Sequence, residues 1–310
     1  MANVSASMVK DLRDKTGAGM MDCKAALAET NGDMEAAVDW LRKKGLAKAA
    51  KKAGRVAAEG LIGLALDRHA GALVEVNSET DFVARNDQFK TFVTEAARLG
   101  LKAEGDLEKL LAKKTSSGAT VDETIKSLVA KIGENMSVRR VTAMTVSPGV
   151  VASYVHNASS PELGKIGVLV ALKSVAPEDK LLALGKQLAM HISFAAPLAL
   201  KPEHLPADVV ARERAIYADQ ARQSGKPENV IEKMIEGRMR KFYQETVLLA
   251  QTYMGPGNDG ETTIAKMLEK ASKDLGAPVE IEAFVRYQVG EGIEKTDGDF
   301  ADEVKAMAGH

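Results

Sequence analysis

Among the 310 residues, the stretch best equipped to act on another molecule is 73–89, LVEVNSETDFVARNDQF. It begins as a strand, because Leu73, Val74 and Val76 are the bulky or β-branched residues of a buried strand. It ends as a helix, in which Phe82, Val83, Phe89, Phe92 and Val93 fall among polar partners. Between the two sits Ser78-Glu79-Thr80-Asp81, a run of residues that favour helix N-caps. Such a turn leaves free backbone N–H groups beside a short carboxylate. Asp81 next to Phe82 then has two readings. In one, Asp81 caps the helix and Phe82 joins the core. In the other, carboxylate and ring project together as a probe aimed outward. Spacing alone leaves both open.

No catalytic constellation accompanies this turn. The five histidines, at 69, 156, 191, 204 and 310, never pair at metal-ligand spacing. Cys23 is the single cysteine, which excludes internal disulfides and multi-cysteine metal sites and suits a reducing compartment. It reads as an inert core thiol. Gly255-Pro256-Gly257-Asn258-Asp259-Gly260 has the spacing of a dinucleotide fingerprint but follows a helix, so it reads as a loop. A phosphate-loop lysine motif, a nucleophile elbow and a paired-carboxylate site are all missing. The residues therefore describe a binding protein instead of an enzyme, with no cofactor and no metal of its own.

Charge and hydropathy narrow the partners. With 42 basic and 43 acidic residues the formal charge is −1, so no global basic field attracts nucleic acid. Aromatic content of 4% gives little for bases to stack on. The N-terminus lacks an apolar signal-peptide core, and no apolar run approaches the ~18 residues of a membrane span. A cytoplasmic protein is expected.

The elements that must position the turn follow from periodicity. Residues 1–45 read as three short helices: Ser5 or Ser7 caps the first, Asn31-Gly32-Asp33 separates the second from the third, and Gly45 ends the third. Met20-Met21, after a glycine turn, either forms an exposed adaptable contact or fills the small core. Residues 46–59, with Lys48, Lys51, Lys52 and Arg55 among alanines, read as a helical or flexible linker. An internal repeat follows. Each copy has a hairpin, a helix, a second amphipathic helix and a closing strand, giving two β-β-α-α-β units with three-stranded antiparallel sheets and helices on one face. The second copy carries an insertion with apolar stripes on two charged helices, an antiparallel coiled-coil hairpin. Phe300, Val304 and Met307 share one face of a C-terminal helix. The expected class is α+β, divided as 1–54, 55–147, 148–200 with 246–290, the inserted 201–245, and 291–310.

Two segments carry a resemblance. VKDLRDKTGAGMMDCKAAL (9–27), with its NGDMEAAVDWLRKKG continuation, and EVNSETDFVARNDQF (75–89) closely resemble the signature regions of bacterial translation elongation factor Ts. Lys131-Ile132-Gly133-Glu134-Asn135, Arg139-Arg140-Val141, Ser224-Gly225-Lys226-Pro227, Glu236-Gly237-Arg238-Met239 and Val289-Gly290-Glu291-Gly292-Ile293-Glu294-Lys295 match as well. The resemblance spans essentially the whole chain.

It implies a guanine-nucleotide exchange factor for elongation factor Tu, a GTPase. It also implies a ubiquitin-associated-like N-terminal domain, a core of two similar subdomains, a protruding coiled coil and a C-terminal module. In the family, the turn matching Thr80, Asp81, Phe82 and Val83 intrudes near the magnesium site of the GTPase. Family contacts also map onto Leu12, Arg13, Met20 and Met21, onto Ile132 and Gly133, and onto His156. After His156 this chain has a longer turn, 157–164, than the family pattern leads one to expect. A homodimer within a 2:2 complex stays open, and no direct nucleic-acid contact is expected. The alternative is a nucleic-acid or ribosome-binding scaffold that uses the 48–55 basic stretch and the charged coiled coil.

Overall fold

The computed structural model describes residues 4–294. The helix expected around Phe300, Val304 and Met307 lies outside the described residues. Three helices open the chain: α1 (Ala6–Thr16), α2 (Met20–Glu29) and α3 (Met34–Lys52). Their ends follow local chemistry. The Ser5 hydroxyl accepts from the Met8 N–H at 3.2 Å, and the Asp33 carboxylate accepts from the N–H groups of Glu35 and Ala36. Gly17 closes α1 at φ 66°, the left-handed backbone that glycine adopts without strain.

The third helix does not end at Gly45. It runs on to Lys52, so the first part of the expected linker is helical. A Cβ at Gly45 would lie 3.1 Å from the Ala130 methyl. The glycine therefore lets α3 lie close against the later helix that carries Ala130, and that packing overrides its low helix propensity.

The first α/β unit comprises β1 (Glu59–Asp67), β2 (Ala70–Ser78), α4 (Asp81–Arg85), α5 (Asp87–Lys102), α6 (Leu107–Ala112), α7 (Val121–Ile132) and β3 (Met136–Thr145). Two features depart from the sequence expectation. The single helix expected after β2 is broken at Asn86, whose side chain caps α5 by accepting from Gln88 N–H at 2.9 Å and Phe89 N–H at 3.2 Å. The short helix α6 was also not expected, although Asp106 supplies its cap to the Lys109 N–H.

The second unit comprises β4 (Gly149–His156), β5 (Leu163–Gly164), β6 (Ile166–Lys173), α8 (Glu178–Ala195), the arm helices α9 (Ala207–Arg222) and α10 (Glu228–Thr246), then α11 (Ile264–Leu275) and β7 (Glu280–Gln288). The sheets are antiparallel, with strand orders β3-β2-β1-β5 and β4-β6-β7. The first sheet thus has a fourth strand where three were expected. The long turn after His156 supplies it, pairing Gly164 with Ile62 and Leu163 with Gly63.

Strands β1, β2 and β6 are largely apolar on both sides because both sides are covered. Leu61, Ala65, Val74 and Val76 pack under Phe89, Phe92, Val93, Ile125 and Val129 of the first unit's helices. Ile62, Leu64 and Leu73 face Val151, Leu169 and Ala171 of the other sheet. Close approach of the sheets needs small residues: a Cβ at Gly167 would meet Ile62 at 2.6 Å, and one at Gly71 would meet Val151 at 2.8 Å.

The arm closes its own seam with Ala221, Ile231, Ile235, Met239 and Phe242. Its root is held by Gln251, whose amide donates to the Glu245 carbonyl at 2.7 Å and whose oxygen meets His191 Nε2 at 2.9 Å. The Met254 N–H donates to His191 Nδ1 at 3.1 Å, so the imidazole is neutral with its proton on Nε2. Burial holds its pKa below the ordinary 6.5, against the raising effect of the Gln251 bond.

One ionic cluster ties the sheets together across their ends. Glu75 on β2 has no exposed surface. Its carboxylate accepts from Arg139 at 3.1 Å, from Arg140, from the Asn77 amide at 3.0 Å and from the Gly290 N–H at 2.8 Å. The register of β2 on β3 shifts between Glu75 and Val76, and this irregularity lies beside the consecutive arginines. Arg139 donates onward to the Glu291 carbonyl at 2.7 Å, Arg140 pairs with the Glu291 carboxylate at 3.2 Å, and the Arg140 guanidinium lies 4.0 Å from the centre of the Tyr287 ring.

Burial pushes the Glu75 pKa up, but the bonds from Gly290, Asn77 and Arg140 and the charge of Arg140 outweigh it, leaving a value below the ordinary 4.5. A depressed folded-state pKa means that this stabilisation is complete above pH 4.5 and is lost as pH falls through the lowered value. Glu75→Ala is expected to cost about 3–5 kcal/mol in urea unfolding, because two arginines lose a buried counter-charge. Glu75→Gln should flatten the acid-side fall in stability.

Candidate functional site

The turn that carries Thr80, Asp81 and Phe82 is hydrogen-bonded at its backbone and open at its tip. Thr80 occupies the N-cap position of α4, but its side chain makes no cap bond. Its N–H donates to Glu134 Oε2 at 2.9 Å and its hydroxyl to Glu134 Oε1 at 2.8 Å. The Ser78 hydroxyl donates to the Thr80 carbonyl at 2.9 Å. Glu79 accepts from the Asn135 N–H, and Arg55 approaches the same carboxylate at 3.4 Å. The Asn135 amide donates to the Arg55 carbonyl at 2.7 Å. The chain leaving α3, the β2–α4 turn and the α7–β3 turn are therefore bound to one another.

On this base Phe82 is 73% exposed. The core reading of Phe82 fails; Val83 and Ala84 are the residues of α4 that turn inward. Asp81 does not act as the cap. It is the first residue of α4 and pairs with Arg85 at 2.8 Å. Both partners are well exposed, so the pair contributes only about 0.3–0.5 kcal/mol and is readily exchanged for another cation. The Arg85 guanidinium lies 5.8 Å from the Phe82 ring centre.

Ile132 and Gly133, both half-buried, end α7 next to this turn. Gly133 has φ 92°, and its carbonyl accepts from Lys52 of α3. A shallow groove lined by Asn86, Asp87, Gln88, Lys131 and Ile132 runs between the α4–α5 junction and the end of α7. Lys131 also lies over Gly17 of the first loop, where an added Cβ would meet its Nζ at 2.4 Å. The α1–α2 loop is thereby set beside the end of α7, with Met20 (58% exposed) and Met21 (76% exposed) starting α2 just beyond it.

Leu12 and Arg13 divide. Arg13 is exposed, whereas Leu12 is fully buried with Val9, Cys23, Ala26 and Leu27. A contact role for Leu12 is corrected on this ground: a side chain with no free surface holds the three helices together and touches nothing outside them. The two methionines do the reverse and leave the core to smaller residues.

His156 stands apart from these residues, at the end of β4 in the other sheet. Its Nδ1 lies 3.3 Å from the Tyr154 hydroxyl, and its ring meets Phe194 edge-on at 4.8 Å. Phe194 is 55% exposed, so the three rings form an aromatic patch at the end of α8. Sequence reading missed Phe194, which it read only as part of the second unit's helix. It also missed Arg85, whose partner Asp81 lies one helical turn away, and Glu134, whose partner Thr80 lies 54 residues away. The basic stretch is partly consumed by internal bonds, Lys52 to Gly133 and Arg55 to Glu79. Among the described residues no group of histidine, cysteine or carboxylate side chains could hold a metal ion, and no helix is long and apolar enough to cross a membrane.

Comparison with known proteins decides the family. The family model described as elongation factor TS matches residues 79–291, which include the turn, the arm and the Glu291 end of the ionic cluster. The chain belongs to the elongation factor Ts family. Elongation factor Ts of Rhodospirillum rubrum is 58% identical over 309 residues, covering 99% of each chain. That of Rhodospirillum centenum is 57% identical over 310 residues and that of Sphingopyxis alaskensis 57% over 311, each covering both chains completely. Membership gives the role in translation elongation, that of a nucleotide exchange factor in protein biosynthesis. The exposed ring of Phe82, the two methionines and Phe194 beside His156 are among the large apolar side chains this chain leaves at its surface.

The buried and exposed residues of the three-helix region are separable by stability. Leu12→Ala is expected to lower its unfolding free energy by about 2–5 kcal/mol through the cavity it leaves. Met20→Ala and Met21→Ala should change it by no more than about 0.5 kcal/mol. Helix loss followed by circular dichroism on heating distinguishes the two.

Proposed function

We propose that this chain binds elongation factor Tu in its GDP-bound form and promotes GDP release by inserting Asp81 and Phe82 near the site that holds Mg²⁺ and the phosphates. The observation that carries the reading is an exposed phenylalanine on a turn fixed at both of its donors. An exposed phenyl ring retains about 1.5–3 kcal/mol of unrealised burial free energy, available when it enters an apolar pocket.

Exchange is a coupling between two ligands of one GTPase. The factor must favour the nucleotide-free state, and by linkage the nucleotide must weaken the factor equally. A 10⁴-fold effect needs about 5.5 kcal/mol of differential binding. An exposed ion pair such as Asp81–Arg85 supplies too little of that. Ring insertion together with loss of Mg²⁺ from its oxygen ligands supplies more. Asp81, once released from Arg85, places a carboxylate where it competes for the cation or its ligands.

The remaining surfaces serve as anchors in this reading. Met20, Met21 and Arg13 belong to a ubiquitin-associated-like domain over 1–54. Ile132 and Gly133 lie in the subdomain over 55–147, and His156 in that over 148–200 and 246–290. The arm over 201–245 and a C-terminal module over 291–310 complete the arrangement, and a 2:2 complex is one assembly it permits.

Release of a fluorescent GDP analogue from elongation factor Tu, followed by stopped flow against factor concentration, tests the reading. Phe82→Ala should lower the saturating rate with little change in the half-saturating concentration. Met20→Ala with Met21→Ala should raise the half-saturating concentration and leave the saturating rate near its original value. An undiminished saturating rate for Phe82→Ala would rule out the insertion step.

A further inference from the structure

Glu134 has no part in the roles assigned so far, yet it holds the turn. It follows Gly133, the left-handed residue that ends α7, and its two carboxylate oxygens take the two donors of Thr80. A threonine at an N-cap ordinarily accepts a bond from the second or third N–H of its helix. Thr80 makes no such bond and gives its hydroxyl to a carboxylate 54 residues away in sequence. The adjacent residues repeat the arrangement in reverse, since the Asn135 N–H donates to Glu79. Two neighbours on the α7–β3 turn thus grip two neighbours on the β2–α4 turn.

The ring that this grip serves has little packing of its own. Phe82 is largely exposed, so the direction in which it projects is set by the backbone that carries it. A loose turn would lose conformational freedom on entering a partner's pocket, whereas a turn already fixed loses little.

We infer that Glu134 is a positioning residue for nucleotide exchange, fixing Thr80 so that Asp81 and Phe82 are presented in a single orientation. The inference rests on the insertion reading above. It places the effect of Glu134 on the insertion step and leaves the anchoring surfaces untouched, so it alters the saturating rate more than the half-saturating concentration.

The test uses the full chain, elongation factor Tu and a fluorescent GDP analogue, with wild type, Phe82→Ala, Glu134→Ala and the double variant. Glu134→Ala should lower the saturating rate about tenfold, the effect of losing bonds to a charged acceptor, with the half-saturating concentration within about twofold. Glu134→Gln keeps one acceptor oxygen and should recover part of the rate. In the Phe82→Ala background, Glu134→Ala should cost much less than in the wild type, because the larger part of its effect passes through that ring and only the Asp81 part remains. A slow Phe82→Ala beside an unimpaired Glu134→Ala overturns the positioning role alone. Losses that multiply in the double variant also overturn it, since Glu134 would then act elsewhere. A Phe82→Ala that exchanges at full rate removes the insertion reading and this inference with it. Should Glu134→Ala fail to fold, Thr80→Val carries the test: it lacks the hydroxyl donor, and an unchanged saturating rate for it overturns the inference.

Discussion

A carboxylate with no exposed surface, Glu75, stands between two consecutive arginines and a backbone N–H from the far end of the chain. A buried charge is tolerated only when its hydrogen bonds are satisfied, and Glu75 has four different donors. Those donors come from β2, β3 and the segment after β7, so satisfying one charge fixes the relative placement of both sheets. The apolar contact between the sheets is broad but non-directional. The ionic cluster supplies a direction at one end of it. The strand that carries Glu75 also leads, five residues later, into the turn that carries Thr80.

The turn is organised on a similar principle with a different outcome. Acidic side chains at 79 and 134 are used to hold backbone and hydroxyl donors, and each bond crosses between two turns. The result is a fixed backbone bearing an unburied ring. An isolated exposed phenylalanine needs no special account in general. Here it stands on a turn whose backbone and hydroxyl donors are held by Glu134, which separates it from an ordinary surface residue. The weak pairing of Asp81 with Arg85 leaves the neighbouring carboxylate equally available.

Other exposed apolar side chains lie in the three-helix region and in the second unit. Met20 and Met21 are brought toward the turn by the packing of α3 on α7 through Gly45 and Ala130, and by Lys131 over Gly17. The His156 patch belongs to the second sheet and reaches the first unit through the 157–164 turn, whose end pairs with β1. These exposed side chains are therefore separated, and their spacing is set by one continuous framework. The arm is joined to that framework by His191 and Gln251, a buried pair whose bonding requires a neutral imidazole.

Much of this architecture was legible in the chain because it depends on near neighbours. The caps at Ser5 and Asp33, the strand composition of 73–76 and the apolar stripes of α9 and α10 all act within a turn or two of their own position. The motif around Asp81 and Phe82 was likewise visible, as a carboxylate beside a ring in a capping segment. Whether the ring faced in or out was not. That depended on Val83 and Ala84 taking the inward positions and on Glu134 holding Thr80 from 54 residues away. Leu12 looked like a contact and is core, Gly45 looked like a helix end and is a packing face, and the turn after His156 looked merely long and ends in a two-residue strand. Local sequence determined which segments became helices, strands and caps, since those follow from propensity and short-range hydrogen bonds. Only the tertiary structure decided which side chains were left exposed, because exposure depends on what the rest of the chain brings against them.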